Sequence, residues 1–405
     1  MKLNKWIRSE VDAIPLALIM LSSPQLPLTT LRELKKVGFD YLPDPEELIS
    51  GYAKLNWLSE RMKKILDGAI KAQLSGNRNS LEEKLKDILA ELSTTLETTD
   101  HNISNLYSLV STFTSTVPVT IVATQALLGG GGTATALSMA FIGLIIAMLV
   151  GFWAFPWEFG ISTPKLQTYA LLLLIMPSYL LFNCFSIPNP FLLSLALGSA
   201  PSAAFHLHHT LSELKKMDKS RELIRVAARA IGNPYLALAR EKLLKDPEEL
   251  LNQEWKGFSK AATLGLWQVL LHGGYENLQK LDDYVSKVLE FTKRLRSKTR
   301  IFLVYAIIEA AIVAAIYAVI LGIEPLFTEG GEWMIKAGIS ILGLRELREN
   351  IDQILSLNAL TLAVATASAR EGRPHLLTMY LPLIAGIVWF FWLISSTLTP
   401  LLVGG

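Results

Sequence analysis

The sequence is short of cysteine, of histidine and, over long stretches, of charge. Its one cysteine, Cys184, excludes an internal disulfide and a cysteine-built zinc site. Of its six histidines, His206, His208 and His209 form the single cluster, and their i, i+2, i+3 spacing suits a helical metal site poorly. No Walker A sequence is present, so the chain is not expected to hydrolyse nucleotide. It also lacks H-E-x-x-H, G-x-S-x-G and C-x-x-C, so no reaction is named by its motifs. The expectation is a protein that is not an enzyme and has no catalytic, cofactor-binding or metal residue.

The scarcity of charge is local. Of 74 charged side chains, 59 lie in residues 1–100 and 207–300. From His101 to Trp157, 57 residues carry no Asp, Glu, Lys or Arg, and from Leu166 to Ser212 there are 47 more. Ile301–Ile323 carries only Glu309, and Gln353–Ala369 and Pro374–Gly405 carry none. Such segregation excludes a disordered chain and a single globule with an evenly charged surface.

A helix needs about 20 apolar residues to cross the hydrocarbon core of a bilayer, where only helices and closed barrels satisfy their backbone. Alternating ten-residue strands are absent, so helices are expected. Seven spans fit, near 106–128, 134–155, 167–185, 189–207, 301–322, 353–369 and 376–402. The first and sixth are the most polar. Tetraglycine Gly129–Gly132 separates the first pair, and Ser186-Ile187-Pro188-Asn189-Pro190 the second. Lysine and arginine favour the cytoplasmic side. Placing both charged blocks there leaves only Lys336, Arg345 and Arg348 outside, in an exterior loop 323–352. The N-terminus is then cytoplasmic and the C-terminus exterior, in a multi-pass protein of the cell membrane.

Both blocks have helical periodicity. Leu58, Met62, Ile65, Leu66, Ala69 and Leu74 form one stripe, Leu81, Leu85, Ile88, Leu89, Leu92 and Leu96 a second, and Leu278, Leu281, Val285, Val288, Leu289 and Leu295 a third. Ser80 and Glu83 have the form of a capping box. The apolar stretch Ala13–Leu21 reads as a buried helix of the first block rather than a cleaved signal, because Glu10 and Asp12 precede it and Pro15 lies in it. Shifting the chain by 197 residues lays Gly76 on Gly273, Leu81 on Leu278, Ile88 on Val285, Leu92 on Leu289 and Thr95 on Thr292. That order suggests an internal duplication. The expected fold is all-α: a first cytoplasmic helical domain over 1–105, four transmembrane helices over 106–207, a second cytoplasmic helical domain over 208–300 and three transmembrane helices over 301–405.

Two features invite a functional reading. Glu309 is a lone carboxylate within an apolar span, where a charge is costly and usually meets protein or water. It is the candidate intramembrane partner contact. Lys293, Arg294, Arg296, Lys298 and Arg300 form a basic run before the same span, suited to anionic headgroups or an acidic partner.

Some stretches resemble a known family. Glu10-Val11-Asp12-Ala13-Ile14-Pro15 and Leu26-Pro27-Leu28-Thr29-Thr30-Leu31 resemble its acid-to-proline entry and its leucine turn, with Pro24 and Gln25 where the family has glycine. Leu270-Leu271-His272-Gly273-Gly274 with Leu278 resembles the glycine-then-leucine element before its long helix. Arg370-Glu371-Gly372-Arg373-Pro374-His375, between two apolar spans, resembles the C-terminal turn of its archaeal pilus and archaellum branch. The family is the inner-membrane platform of type II secretion and type IV pilus machines (GspF/PilC/TadC-like). The resemblance implies a platform that couples a hexameric cytoplasmic ATPase to insertion of pilin or pseudopilin subunits. Its partners would be that ATPase, the subunits and the lipid bilayer, with a homo-oligomer open and no nucleic acid. The competing reading from the residues is a secondary transporter that uses Glu309.

Overall fold

A computed structural model describes residues 2–52, 55–128, 132–155, 163–251, 255, 257–322 and 341–403. The described residues are helical and contain no strand. In chain order the α-helices are α1 (Lys2–Ser22), α2 (Pro27–Leu34), α3 (Pro45–Ile49), α4 (Glu60–Ser75), α5 (Asn79–Ser111), α6 (Val117–Leu128) and α7 (Gly132–Ala154). There follow α8 (Ile175–Cys184), α9 (Pro190–Ala228), α10 (Pro234–Arg240), α11 (Gly257–His272), α12 (Glu276–Gly322), α13 (Ile341–Glu371) and α14 (Leu381–Val403). A π turn, Thr112–Thr116, joins α5 to α6, and a 3₁₀ helix, Leu166–Leu174, leads into α8.

The chain divides into two compact units. The charged unit is built from Met1–Thr98 and Leu211–Arg294, the apolar unit chiefly from Thr99–Phe155, Thr163–Thr210 and Leu295–Gly405. The two charged blocks, expected as separate domains, thus share one unit. The reason lies in α1. Every residue from Asp12 to Met20 is buried, so this helix is enclosed on all sides rather than on one stripe. It packs against α4 of the first block and more extensively against α11 of the second. Burying each large side chain here, such as Ile14, Leu16 or Ile19, contributes roughly 1.5–3 kcal/mol.

A polar knot ties the same elements. The Tyr41 hydroxyl donates to buried Asp12 at 3.0 Å. Arg8 Nη2 and Lys260 Nζ both donate to the Gly38 carbonyl, at 2.7 and 3.1 Å. Lys260 also stands 4.2 Å over the Phe39 ring. Burial raises the Asp12 carboxyl above its ordinary value, against the pull of Lys260. Burial lowers the Lys260 ammonium.

The two blocks share local order. Helices α4 and α11 each have 16 residues and are offset by 197. Gly76 (φ 68°) and Gly273 (φ 84°) follow them in left-handed conformation. Then α5 and α12 begin at Asn79 and Glu276, at the same offset. The pentapeptide Asp-Pro-Glu-Glu-Leu occurs at Asp44–Leu48 and at Asp246–Leu250, each opening a helical turn. Its offset of 202 hid it from the 197-residue shift. Ser80 is not the expected cap of α5. Its hydroxyl donates to the Gly68 carbonyl at 3.1 Å, while Asn77 accepts from Asn79 N–H at 2.9 Å. Leu74, at the end of its stripe, is exposed.

Among the described residues six helices are long and apolar enough to cross a membrane. These are Glu97–Thr124, Leu166–Cys184, the apolar parts of α9 and α12, Leu344–Glu371 and Leu381–Thr399. The chain is therefore compatible with a multi-pass membrane protein. A seventh apolar stretch, Thr133–Leu149 in α7, is shorter. The breaker before Pro190 is a turn in which Ser186 and Asn189 both take positive φ. Gly129, Gly130 and Gly131 and residues 323–340 of the expected exterior loop lie outside the described residues. Helices α5, α9 and α12 each supply residues to both units without interruption.

Candidate functional site

Pro118 lies in the first turn of α6 and is buried. A proline has no N–H to offer the carbonyl four residues back, and its ring crowds that carbonyl. Here the crowded residue is Thr114. The chain answers with one wide turn, Thr112–Thr116, closed by a bond from Val117 N–H to the Thr112 carbonyl. Such π turns inside helices are frequent at functional sites.

This turn presents Thr114 to Glu309. The Thr114 hydroxyl lies 2.8 Å from Glu309 Oε1 and 2.9 Å from the Val110 carbonyl. Glu309 is half-buried on α12, and Thr114 is fully buried. Aromatic rings stand one and two turns away, with Tyr107 5.3 Å from Phe302 and 6.5 Å from Tyr305, centre to centre. Behind the π turn lies α7. A Cβ on Gly143 would meet Phe113 Cβ at 3.2 Å, Thr361 Cγ2 at 3.5 Å and Thr114 Cγ2 at 3.6 Å. The carboxylate thus has a hydroxyl partner on the π turn, as the cost of a charge in an apolar run leads one to expect.

The polar character continues along α13. Ser356, Asn358, Thr361, Thr366 and Ser368 are all buried. Most hydroxyls are satisfied within the bundle: Thr361 donates to the Leu357 carbonyl at 2.8 Å, and Thr366 to the Leu362 carbonyl at 2.7 Å. Asn358 has no hydrogen-bond partner for either amide atom among the described residues.

The basic run divides. Lys293 pairs with Asp218 at 2.7 Å. Arg294 and Arg300 are exposed. Arg296 turns inward and forms an ion pair with Glu371, whose carboxylate also accepts from the Tyr380 hydroxyl at 2.6 Å. The Lys298 side chain lies outside the described residues. Sequence reasoning treated Arg296 as one of five equal anchors. Its distinction depends on Glu371, 75 residues later in the chain.

The histidine cluster also divides. His206 is buried, its Nε2 2.7 Å from the Thr168 hydroxyl and its Nδ1 bonded to that of Thr378. His208 is exposed and His209 half-buried. Among the described residues no three His, Cys, Asp or Glu are grouped to hold a metal ion.

The chain matches no known family profile, no curated protein and no solved structure.

Proposed function

We propose that the chain is a membrane platform of a type IV filament or type II secretion machine. In this reading it couples a cytoplasmic secretion-type ATPase to the insertion of pilin or pseudopilin subunits. The observation that carries the reading is helical continuity. Helix α12 runs 47 residues from the charged unit into the apolar unit without a break. At 1.5 Å per residue that is a rod of about 70 Å. Helices α5 and α9 are continuous in the same way. A chain without a nucleotide motif needs an outside motor to do work, and unbroken helices are a means of carrying motion from that motor toward the bilayer.

The reading includes seven spans, a cytoplasmic N-terminus, an exterior C-terminus and an internal duplication. The equal lengths of α4 and α11, their glycine caps and the repeated Asp-Pro-Glu-Glu-Leu support the duplication. Glu309, with its Thr114 partner, is then the receiving group for a polar element of an inserted subunit.

The test is gentle crosslinking in native membranes followed by purification. Recovery of a hexameric ATPase and a prepilin is expected, and their absence from the crosslinked material overturns the proposal. The transporter reading is favoured only by Glu309, a carboxylate in an apolar run with a hydroxyl partner. It requires substrate flux into proteoliposomes that Glu309→Gln abolishes.

A further inference from the structure

The charged unit contains two elbows where a 16-residue helix turns into a long one: α4 into α5, and α11 into α12. Both meet the turn between α1 and α2. Arg78 fastens the first elbow, donating to the Leu21 carbonyl at 3.3 Å and to the Gln25 carbonyl at 2.9 Å. That elbow is also braced by backbone. A Cβ on Gly68 of α4 would meet both Leu81 Cα and the Ser80 carbonyl oxygen of α5 at 3.2 Å. The position 197 residues on is Gly265 of α11. There the nearest atoms belong to side chains, Leu281 Cδ2 at 2.8 Å and Ser22 Oγ at 3.0 Å.

The second elbow differs in its own backbone too. Gly273 and Gly274 both take positive φ, 84° and 80°, which glycine adopts without strain. A Cβ on Gly273 would meet nothing within 4 Å, so this glycine serves the turn and not a close contact. Leu271, His272, Tyr275 and Glu276 around it are exposed. Beside the first turns of α12 lies a cavity of about 210 Å³, lined in part by Asn79 and Glu82 of α5 and by Asn277, Leu281 and Tyr284 of α12. Close packing resists displacement, and a void of this size leaves α12 room to shift.

What holds this elbow in place is polar and comes from the first block. Glu33 of α2 accepts from Gln268 Nε2 at 2.8 Å and lies 3.2 Å from His272 Nε2. Gln25 Nε2 donates to Glu33 at 3.3 Å and stands 3.1 Å from the same His272 nitrogen. Asn277 reaches the Ser22 carbonyl at 3.4 Å. The Glu33 and His272 side chains are 31% and 29% exposed, so water competes for their bonds. Contacts of that kind open and close within a chain that stays folded. We propose that Gly273–Gly274 is a hinge at the foot of α12, and that Glu33, through Gln268 and His272, is the latch that holds the elbow on the α1–α2 turn. With the latch open, the first turns of α12 lift from that turn while α11 stays seated on α1. The first elbow, braced by backbone, stays closed. This inference does not depend on the filament reading.

The experiment is hydrogen exchange of the full chain in non-ionic detergent, read by mass spectrometry with fragmentation to single amides. The reporters are the amides of Gly273, Asn277 and Leu278, which bond to the carbonyls of Val269, Gly274 and Tyr275. The controls are the amides of Leu81 and Glu82 in the first elbow, both bonded to the Arg78 carbonyl. Glu33→Ala is expected to speed exchange at the reporters about tenfold and to leave the controls within about twofold of wild type. His272→Ala should act in the same direction to a smaller degree. Glu33→Gln, which keeps an acceptor for Gln268, should fall between wild type and Glu33→Ala. Equal acceleration of reporters and controls would mean that Glu33 merely stabilises the unit, and overturns the proposal. So does an unchanged rate at the reporters, or wild-type reporters that exchange as fast as unstructured amides. Should Glu33→Ala not fold, His272→Ala and Glu33→Gln decide by the same comparison.

Discussion

Glu309 was legible because it is the one charge in its apolar run. Its partner was not, since the apolar helices offer many hydroxyls and only packing selects Thr114. The clue available in the sequence was Pro118, whose missing N–H forces the wide turn that presents Thr114. Glu309→Gln keeps an acceptor oxygen for Thr114 but removes the charge. In the platform reading it should leave protein abundance near wild type and strongly reduce filaments, counted by electron microscopy; normal filaments would remove Glu309 from the mechanism. Thr114→Val leaves the carboxylate without that donor and should cost about 1–3 kcal/mol, seen as a lower unfolding temperature in detergent. A second residue, Asp12, makes a pH prediction. Its folded pKa is raised by burial, so between the ordinary carboxylate value and that raised value the folded state holds the extra proton. Stability is greatest below the ordinary value and falls as pH rises through the folded one. Asp12→Asn should flatten this decline in unfolding temperature against pH, and an unchanged slope would refute the assignment.

At the scale of elements, the apolar runs declared their helices, but their ranking depended on position. The sixth expected span looked weak because of Asn358 and its hydroxyls. In the structure 78% of its best window is buried, so protein rather than lipid surrounds its polar groups. By contrast, the Leu166–Cys184 window has none of its residues buried. Close approach explains several small residues. Gly151 on α7 allows Ser368 of α13 to come so near that a Cβ would stand 2.2 Å from its Oγ. Gly198 on α9 faces the backbone of α8, where a Cβ would lie 2.6 Å from Ile175 Cα. Backbone cannot swing aside as a side-chain tip can. Gly198→Ala should therefore destabilise by about 1–3 kcal/mol, measured as a fall in unfolding temperature and in membrane-inserted yield. A substitution without effect would mean that α8 is free to move away from α9.

At the scale of the whole molecule, continuity of the long helices makes the mechanical prediction. Arg294 and Ser297 are exposed on α12. Changing both to glycine breaks no hydrogen bond or ion pair among the described residues and weakens the helix by about 1 kcal/mol at each position. In the platform reading, filament number should drop while membrane abundance holds if α12 carries motion; unaltered filaments would argue that α12 is only a tether. What the sequence by itself determined was the division into charged and apolar segments, the helical class and the odd carboxylate. These follow from composition and local periodicity, which act over a few turns. Only the tertiary structure decided that two distant charged blocks share one unit around α1, that Arg296 belongs to Glu371, and that Thr114 faces Glu309. Those outcomes rest on which apolar faces cover one another. Many helix pairings satisfy the same periodicity, and close packing of side chains selects among them.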